Sequence, residues 1–264
     1  MITNQTGVYG GDFSLLAPEV EQGLDFILKH FDFDFIWPRT ISTKTSQGRQ
    51  ILVYNKEEAF ARFKQANFLD CRISAYPSTK YTRRLKQEPN FLFIDLDSQT
   101  SSLNKELEHT LTNIKSKFEN SDIDPTVLWS GRGYHIYLLV DAAVLEDESL
   151  FQDIEVYDPS RKFLQWVEQY LSDNKADPCH SLGVSFNNCM LRIPGSINSK
   201  VNKQVTVVQE WNEIKPSIKP LLYEFYIHLA SMKLREVQDI KTKREPSARR
   251  FYSYWRQRVK KSIF

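Results

Sequence analysis

The segment Phe91-Leu92-Phe93-Ile94-Asp95-Leu96-Asp97 sets two carboxylates two residues apart behind a solid apolar lead. In a strand such residues point to one face, about 6.6 Å apart at roughly 3.3 Å per residue. Two like charges on one face repel unless something positive lies between them. A pair of divalent metal ions would serve, and two-metal phosphoryl transfer needs such a clamp. The plainer alternative is a strand whose end turns polar. Asp32 and Asp34 have the same spacing, but they alternate with Phe31, Phe33 and Phe35, the pattern of a half-buried strand with a wet outer face. Spacing does not separate the two pairs; the residues farther along the chain do.

Only the pair at 95 and 97 is succeeded by two further polar features. Ser130-Gly131-Arg132-Gly133-Tyr134-His135 lies between two apolar runs. Glycines in a turn between strands let backbone N–H groups approach an anion, and Arg132 and His135 would add donors to a triphosphate. Alone, the same residues read as a hairpin turn with a half-buried histidine. Farther on, Lys175-Ala176-Asp177-Pro178 is followed by RIPGSINSK (192–200). Arg192, Ser196 and Lys200 around a Pro-Gly turn offer a compact anion-binding set, or else a basic surface turn.

The elements that must carry these residues are set by periodicity. Apolar spacing predicts helices over 16–31, 56–67, 101–119, 160–173 and 218–240. Strands are expected at 51–54, 71–77, 91–97 and 204–211, with a hairpin over 126–140 and an extended segment running into a turn at 190–196. A polar, basic loop fills 78–90, and linker-like composition begins near 240. Strands alternating with helices, plus a hairpin, indicate a mixed α/β or α+β chain.

Composition sets the outer bounds. The 264 residues are 41% hydrophobic and 26% charged with nine glycines, which excludes collagen, a coiled-coil rod and a wholly disordered chain. No apolar run approaches the roughly 18 residues of a membrane span, and the N-terminal segment lacks the pattern of a signal peptide. Three cysteines, Cys71, Cys179 and Cys189, are too few for a disulfide scaffold, so a reducing, cytoplasmic home is expected. The net charge of +2 hides an asymmetry. From Met232 onward eleven Lys or Arg face three acidic residues, a tail of +8 on a body of −6. Such a body suits cation binding, and such a tail suits contact with phosphate. The tail's Phe251, Tyr252, Tyr254 and Trp255 interleave with arginines and offer stacking surfaces for bases; a solvated helix or linker would carry the same charge.

Taken together, FLFIDLD, SGRGYH and KADP followed by LRIPGSINSK resemble, in order and spacing, the motifs of the archaeo-eukaryotic primase superfamily. The resemblance covers roughly residues 70–212 and is nearest to primase-polymerases of mobile elements and the small catalytic subunit of archaeal primase. It implies an α+β core over 1–232, in which an N-terminal α/β module (about 1–90) packs on an RRM-like catalytic module (about 91–232), followed by the basic tail, 233–264. It implies that Asp95, Asp97 and Asp177 bind two Mg²⁺ or Mn²⁺ ions. Ser130, Arg132, Gly133 and His135 would hold the incoming nucleotide's phosphates, and Arg192, Ser196 and Lys200 would line the nucleotide or template side. The substrates would be a single-stranded DNA template and NTPs or dNTPs. The partners it implies are a helicase or an accessory primase domain, and any helicase lies elsewhere, because no GxxxxGK[ST] motif is present.

Some residues stand outside that pattern. Cys179, His180 and Cys189, with Cys71 as a fourth group, are the material for a zinc site; buried thiols and a surface histidine are the favoured alternative. Glu210 is an alternative third carboxylate, with Asp177 preferred because it precedes the RIPGS turn. Arg72, Tyr76, Arg83 and Arg84 are candidate nucleotide or template contacts. Two other function classes compete. A rolling-circle initiator nuclease needs a pair of metal-binding histidines and a tyrosine nucleophile, and His135-Ile136-Tyr137 supplies a single histidine. A non-catalytic nucleic-acid-binding subunit has no reason to keep Asp95, Asp97, His135 and Asp177.

Overall fold

A computed structural model describes residues 13–31, 37–78, 89–97, 102–141 and 158–243. After a single 3₁₀ turn, helix α1 spans Ala17–Leu28, with Pro18 in its first turn, and buries Val20, Leu24 and Ile27. Strands β1 (Arg39–Ser42) and β2 (Ile51–Val53) precede α2 (Lys56–Gln65). Asn55 caps α2 by accepting from the Glu58 N–H, and its charges run acidic to basic along the helix dipole. Next come β3 (Arg72–Ser74), β4 (Phe91–Leu96), α3 (Leu103–Lys117), and the hairpin β5 (Thr126–Trp129) and β6 (Tyr134–Leu139). The chain continues through α4 (Pro159–Leu171), α5 (Pro178–Gly183), β7 (Met190–Arg192), β8 (Ile197–Asn198), β9 (Lys203–Gln204), β10 (Thr206–Gln209) and α6 (Lys219–Lys243).

The fold is α+β. One antiparallel sheet has the order β2-β1-β3-β7, a second the order β10-β5-β6-β4, and β8 and β9 form a small ribbon. In the second sheet the crossover from β4 through α3 to β5 leaves a gap that β6 fills, a split β-α-β unit. The fourth strand, β10, joins beyond β5, so β4 stays on the edge. Helix α4 packs against β4, α3 and α6. The apolar lead of β4 has a direct cause: Phe91, Leu92, Phe93, Ile94 and Leu96 are all buried, so both faces of the strand are covered.

The two sheets are tied by polar groups as well as by packing. The Tyr137 hydroxyl accepts from the Arg192 N–H at 3.1 Å, the Tyr76 hydroxyl donates to the Phe91 carbonyl at 2.6 Å, and the Asn198 amide donates to the Ser130 carbonyl at 2.8 Å. Because β7 pairs with β3, residues 190–192 complete the N-terminal sheet. This sheet therefore draws its strands from both sides of residue 90. Helix α6 continues past residue 233, through Lys243. The sequence pattern missed β1, where Arg39 is buried, stacks over Phe31 and donates to the Ser74 carbonyl. A buried arginine disguises the period-two alternation. Asp32, Asp34, Arg83, Arg84 and the tail beyond 243 lie outside the described residues. Among the described residues no helix is long and apolar enough to cross a membrane.

Tyr137→Phe tests the tie between the sheets. It leaves the buried Arg192 N–H without its acceptor, and denaturant unfolding should show a loss of about 1–3 kcal/mol. Unchanged stability would mean that the hydroxyl is dispensable to the junction.

Candidate functional site

Asp95 sits on the open edge of β4, opposite His135 of β6. Its backbone N–H donates to Glu168 Oε1 at 2.9 Å, and its carbonyl accepts from the Asp177 N–H at 2.8 Å. The edge groups that a further strand would have paired are thus taken by α4 and by the residue that opens α5. This is what brings Asp177 beside Asp95, far apart in sequence. Asp177 also caps α5, with Oδ1 accepting from the Cys179 N–H at 2.9 Å and Pro178 in the first turn.

Asp97 continues the same face just past the end of β4. Its Oδ1 lies 2.8 Å from Arg132 Nε, yet the N–H is not aimed at it, so this buried oxygen has charge compensation without a hydrogen bond. Burial pushes the Asp95 carboxyl up to about 7; His180 opposes this, while Glu168, Asp97 and Asp177 reinforce it. Among the described residues no three His, Cys, Asp or Glu side chains form a ready-made metal cage. Mg²⁺ commonly takes one or two carboxylates and completes its shell with water and substrate phosphates. Crowded carboxylates and an unbonded buried carboxylate oxygen fit that demand.

His135 is buried, with Nε2 3.5 Å from Asp95 Oδ1 and Nδ1 3.2 Å from the Tyr137 hydroxyl. Since that hydroxyl already accepts from the Arg192 N–H, its own proton can go to Nδ1, which leaves Nε2 as the N–H. Burial, and then Arg192, His180 and Arg72, hold the imidazole pKa well below its ordinary value, so the ring is neutral. Arg192 is itself held by Asp70, Nη1 to Oδ1 at 3.5 Å. Burial alone would push the Asp70 carboxyl up, but hydrogen bonds from Ser199, with Arg192 and Arg72 nearby, keep it below its ordinary value.

These groups line one cavity of about 350 Å³. Asp95, Asp97 and Asp177 supply its acidic lining, and Arg72, Arg132, Arg192 and Lys200 supply its basic lining; Ser130 and His135 also border it. Three expected residues do not: Ser196, Gly133 and Tyr76, the last being buried with its hydroxyl turned to the Phe91 carbonyl. Ser196 is fully buried, and its hydroxyl donates to the Ile193 carbonyl at 2.6 Å, closing the Pro-Gly turn. Gly133 donates its N–H to Ser130 Oγ at 3.1 Å, and a Cβ there would run into the Leu96 carbonyl. This glycine serves the packing of the hairpin on β4 and offers no free N–H to an anion. Glu210 lines a separate cavity with Glu19 and Asp25, near the far edge of the sheet from β4. Cys71 and Cys189 are buried with thiols pushed up by burial, while Cys179 is exposed, so the groups considered for zinc are not gathered into one set.

Motif reading passed over Glu168 and treated His180 as a surface group. Glu168 was nevertheless visible as a charge on the apolar stripe of α4, among Phe163, Leu164, Val167 and Leu171. Phe93, Cys179, His180, Asn188, Met190 and Asn198 also line the cavity, and Asn188 and Met190 had no sequence signal.

No protein-family model matches the chain, and no curated protein matches it. Among solved structures it is similar to the AEP domain of the cyanophage S-2L primase-polymerase (PrimPol), at 8% identity and a TM-score of 0.48, covering 78% of this chain and 96% of that one.

The raised Asp95 carboxyl makes the stability of the fold depend on pH. A carboxyl that holds its proton more tightly in the native state stabilises the fold below the ordinary carboxylate range, and that contribution is lost as pH rises through about 7. Thermal melts of metal-free protein from pH 5 to 8 should fall relative to Asp95→Asn, and Mg²⁺ or Mn²⁺ should restore the wild type at the upper end. Parallel curves for the two proteins would contradict the crowding of charge at Asp95.

Proposed function

We propose that the chain is a template-directed nucleotidyltransferase, a DNA primase, polymerase or both. The observation that carries this reading is the mixed lining of one cavity, in which the crowded carboxylates of Asp95, Asp97 and Asp177 stand together with Arg72, Arg132, Arg192 and Lys200. A polyanion bearing divalent cations is complementary to both. Phosphoryl transfer asks for positioning and charge neutralisation more than for covalent help from the protein. The order of the three motifs, resembling that of archaeo-eukaryotic primases, supports the same class.

Asp95, Asp97 and Asp177 would hold two Mg²⁺ or Mn²⁺ ions, which when bound supply Lewis-acid stabilisation of the charge on the transferring phosphoryl group. The remaining work falls to the chain. His135 offers its Nε2–H to a phosphate oxygen, and its neutrality lets it sit beside Arg192 and Arg72 without added repulsion. Arg192, anchored by Asp70, and Lys200 draw the triphosphate across the cavity, and Arg132 bridges from Asp97 to it. The 3′-hydroxyl oxygen attacks the α-phosphorus, the α–β bridging bond breaks, pyrophosphate leaves and the hydroxyl proton passes to solvent. The substrates are NTPs or dNTPs and a single-stranded DNA template, to which the basic tail adds salt-sensitive affinity. A rolling-circle nuclease fits less well: Tyr137 is fully buried with its hydroxyl engaged, which is no position for a nucleophile.

The direct test is incubation with single-stranded template, NTPs or dNTPs and Mg²⁺ or Mn²⁺, with and without primer. The wild type extends or initiates chains. Asp95→Ala and Asp97→Ala lose incorporation while keeping the fold, and His135→Ala weakens nucleotide binding by about 1–3 kcal/mol with template binding little changed. Asp32→Ala and Asp34→Ala remain near wild type. Incorporation within about tenfold of wild type in both Asp95 and Asp97 variants, when loss of a metal clamp should cost several kcal/mol, would overturn the assignment.

A further inference from the structure

Glu168 is 0% exposed, a carboxylate on the apolar stripe of α4. Its Oε1 takes two hydrogen bonds, from the Asp95 backbone N–H at 2.9 Å and from His180 Nδ1 at 2.8 Å. Its Oε2 is buried and has no partner. A buried charge of this kind is a poor source of stability, because a well-packed apolar side chain usually does as well or better. What it does supply is fixed geometry. The adjacent residue acts in the same direction: Gln169 Nε2 donates to the Ala176 carbonyl at 3.2 Å and to Ser181 Oγ at 2.6 Å, and Ser181 Oγ donates in turn to the Asp177 carbonyl at 3.1 Å. Two consecutive side chains of α4 thus grip both the edge of β4 that carries Asp95 and the turn that carries Asp177.

His180 is the second product of this grip. With Nδ1 bound to Glu168 and its ring packed edge-on against Phe93 at 4.3 Å, it borders the cavity with Nε2 unpaired among the described residues. A carboxylate that holds one imidazole nitrogen and leaves the other facing a polar site is the arrangement by which supporting residues orient a reactive centre.

We propose that Glu168 is the positioning residue of this site, locking the Asp95 strand edge and the His180 ring into one rigid unit. This rests on the nucleotidyltransferase reading for its consequence in turnover, but not for its geometry or for metal affinity. Nothing in the three sequence motifs includes either residue.

The test compares wild type with Glu168→Leu, which fills the space but removes both hydrogen bonds, and Glu168→Gln, which keeps one acceptor oxygen. Three readouts are taken: Asp95 amide exchange with the His180 Nδ1–H signal by NMR, Mn²⁺ affinity by electron paramagnetic resonance, and kcat against KM for nucleotide. In Glu168→Leu the Asp95 amide loses protection and the His180 signal is lost. Mn²⁺ affinity and kcat fall about 10–100-fold, the scale for outer partners of a metal site, while KM and the melting temperature hold. Glu168→Gln recovers most of this. Leu and wild type alike in amide protection and Mn²⁺ affinity, or Gln no better than Leu, overturns the proposal. Should the Leu variant fail to fold, His180→Ala, at a partly exposed position, carries the test: lower Mn²⁺ affinity at an unchanged melting temperature supports it, and wild-type affinity overturns it. If the wild type incorporates no nucleotide while the NMR and Mn²⁺ results hold, the nucleotidyltransferase reading fails and the role of Glu168 stands.

Discussion

An edge strand must dispose of the backbone groups that no neighbour pairs. In this protein that constraint falls on β4 at Asp95, and the way it is met organises the site. A helix side chain takes the N–H and the residue opening α5 takes the carbonyl. One peptide unit is thereby held at the meeting point of β4, α4 and the Asp177 turn. The side chain of Asp95 inherits that rigidity, and Asp97 and His135 take their places from strand period and register. Had β10 closed the sheet on this side, the same groups would have gone to a ladder, and Asp177 would have had no backbone bond to hold it there.

The second organising force is electrostatic. Three carboxylates and a fourth, buried one are crowded at the end of β4, and four basic side chains share their cavity. The protein contains part of this tension itself, through the Arg132–Asp97 and Arg192–Asp70 pairs and the Glu168–His180 bond. It leaves the rest standing, visible in the carboxyl of Asp95 pushed up to about 7 and in the unbonded oxygen of Asp97. Residual charge of this sort costs stability and is typical of sites built to receive charged ligands.

The motifs that could be read along the chain were those whose chemistry is local. Asp95 and Asp97 share a face because of strand period, and the glycines of 130–135 mark a hairpin because turns need them; both readings hold in the fold. Asp177 was legible as a motif, but its reason for being there, a backbone bond to Asp95, is long-range. Ser196 and Gly133 show the limit from the other side. Their residue types suit anion binding, yet the space around them is filled by backbone, and they serve packing. The pairing of β7 with β3, the burial of Arg39 and the role of Glu168 depend on contacts between distant segments, which local periodicity does not encode.

The proposed function requires the carboxylates on and beside β4 to form a divalent-metal clamp completed by a nucleotide. Electron paramagnetic resonance of Mn²⁺ titrated into the protein with a non-hydrolysable nucleoside triphosphate tests it most directly. A nucleotidyltransferase of this kind should bind two ions per chain, close enough to couple magnetically, with the coupled signal lost in Asp97→Ala. A spectrum that is the same for wild type and Asp97→Ala, showing no more Mn²⁺ than the free nucleotide binds, would contradict it.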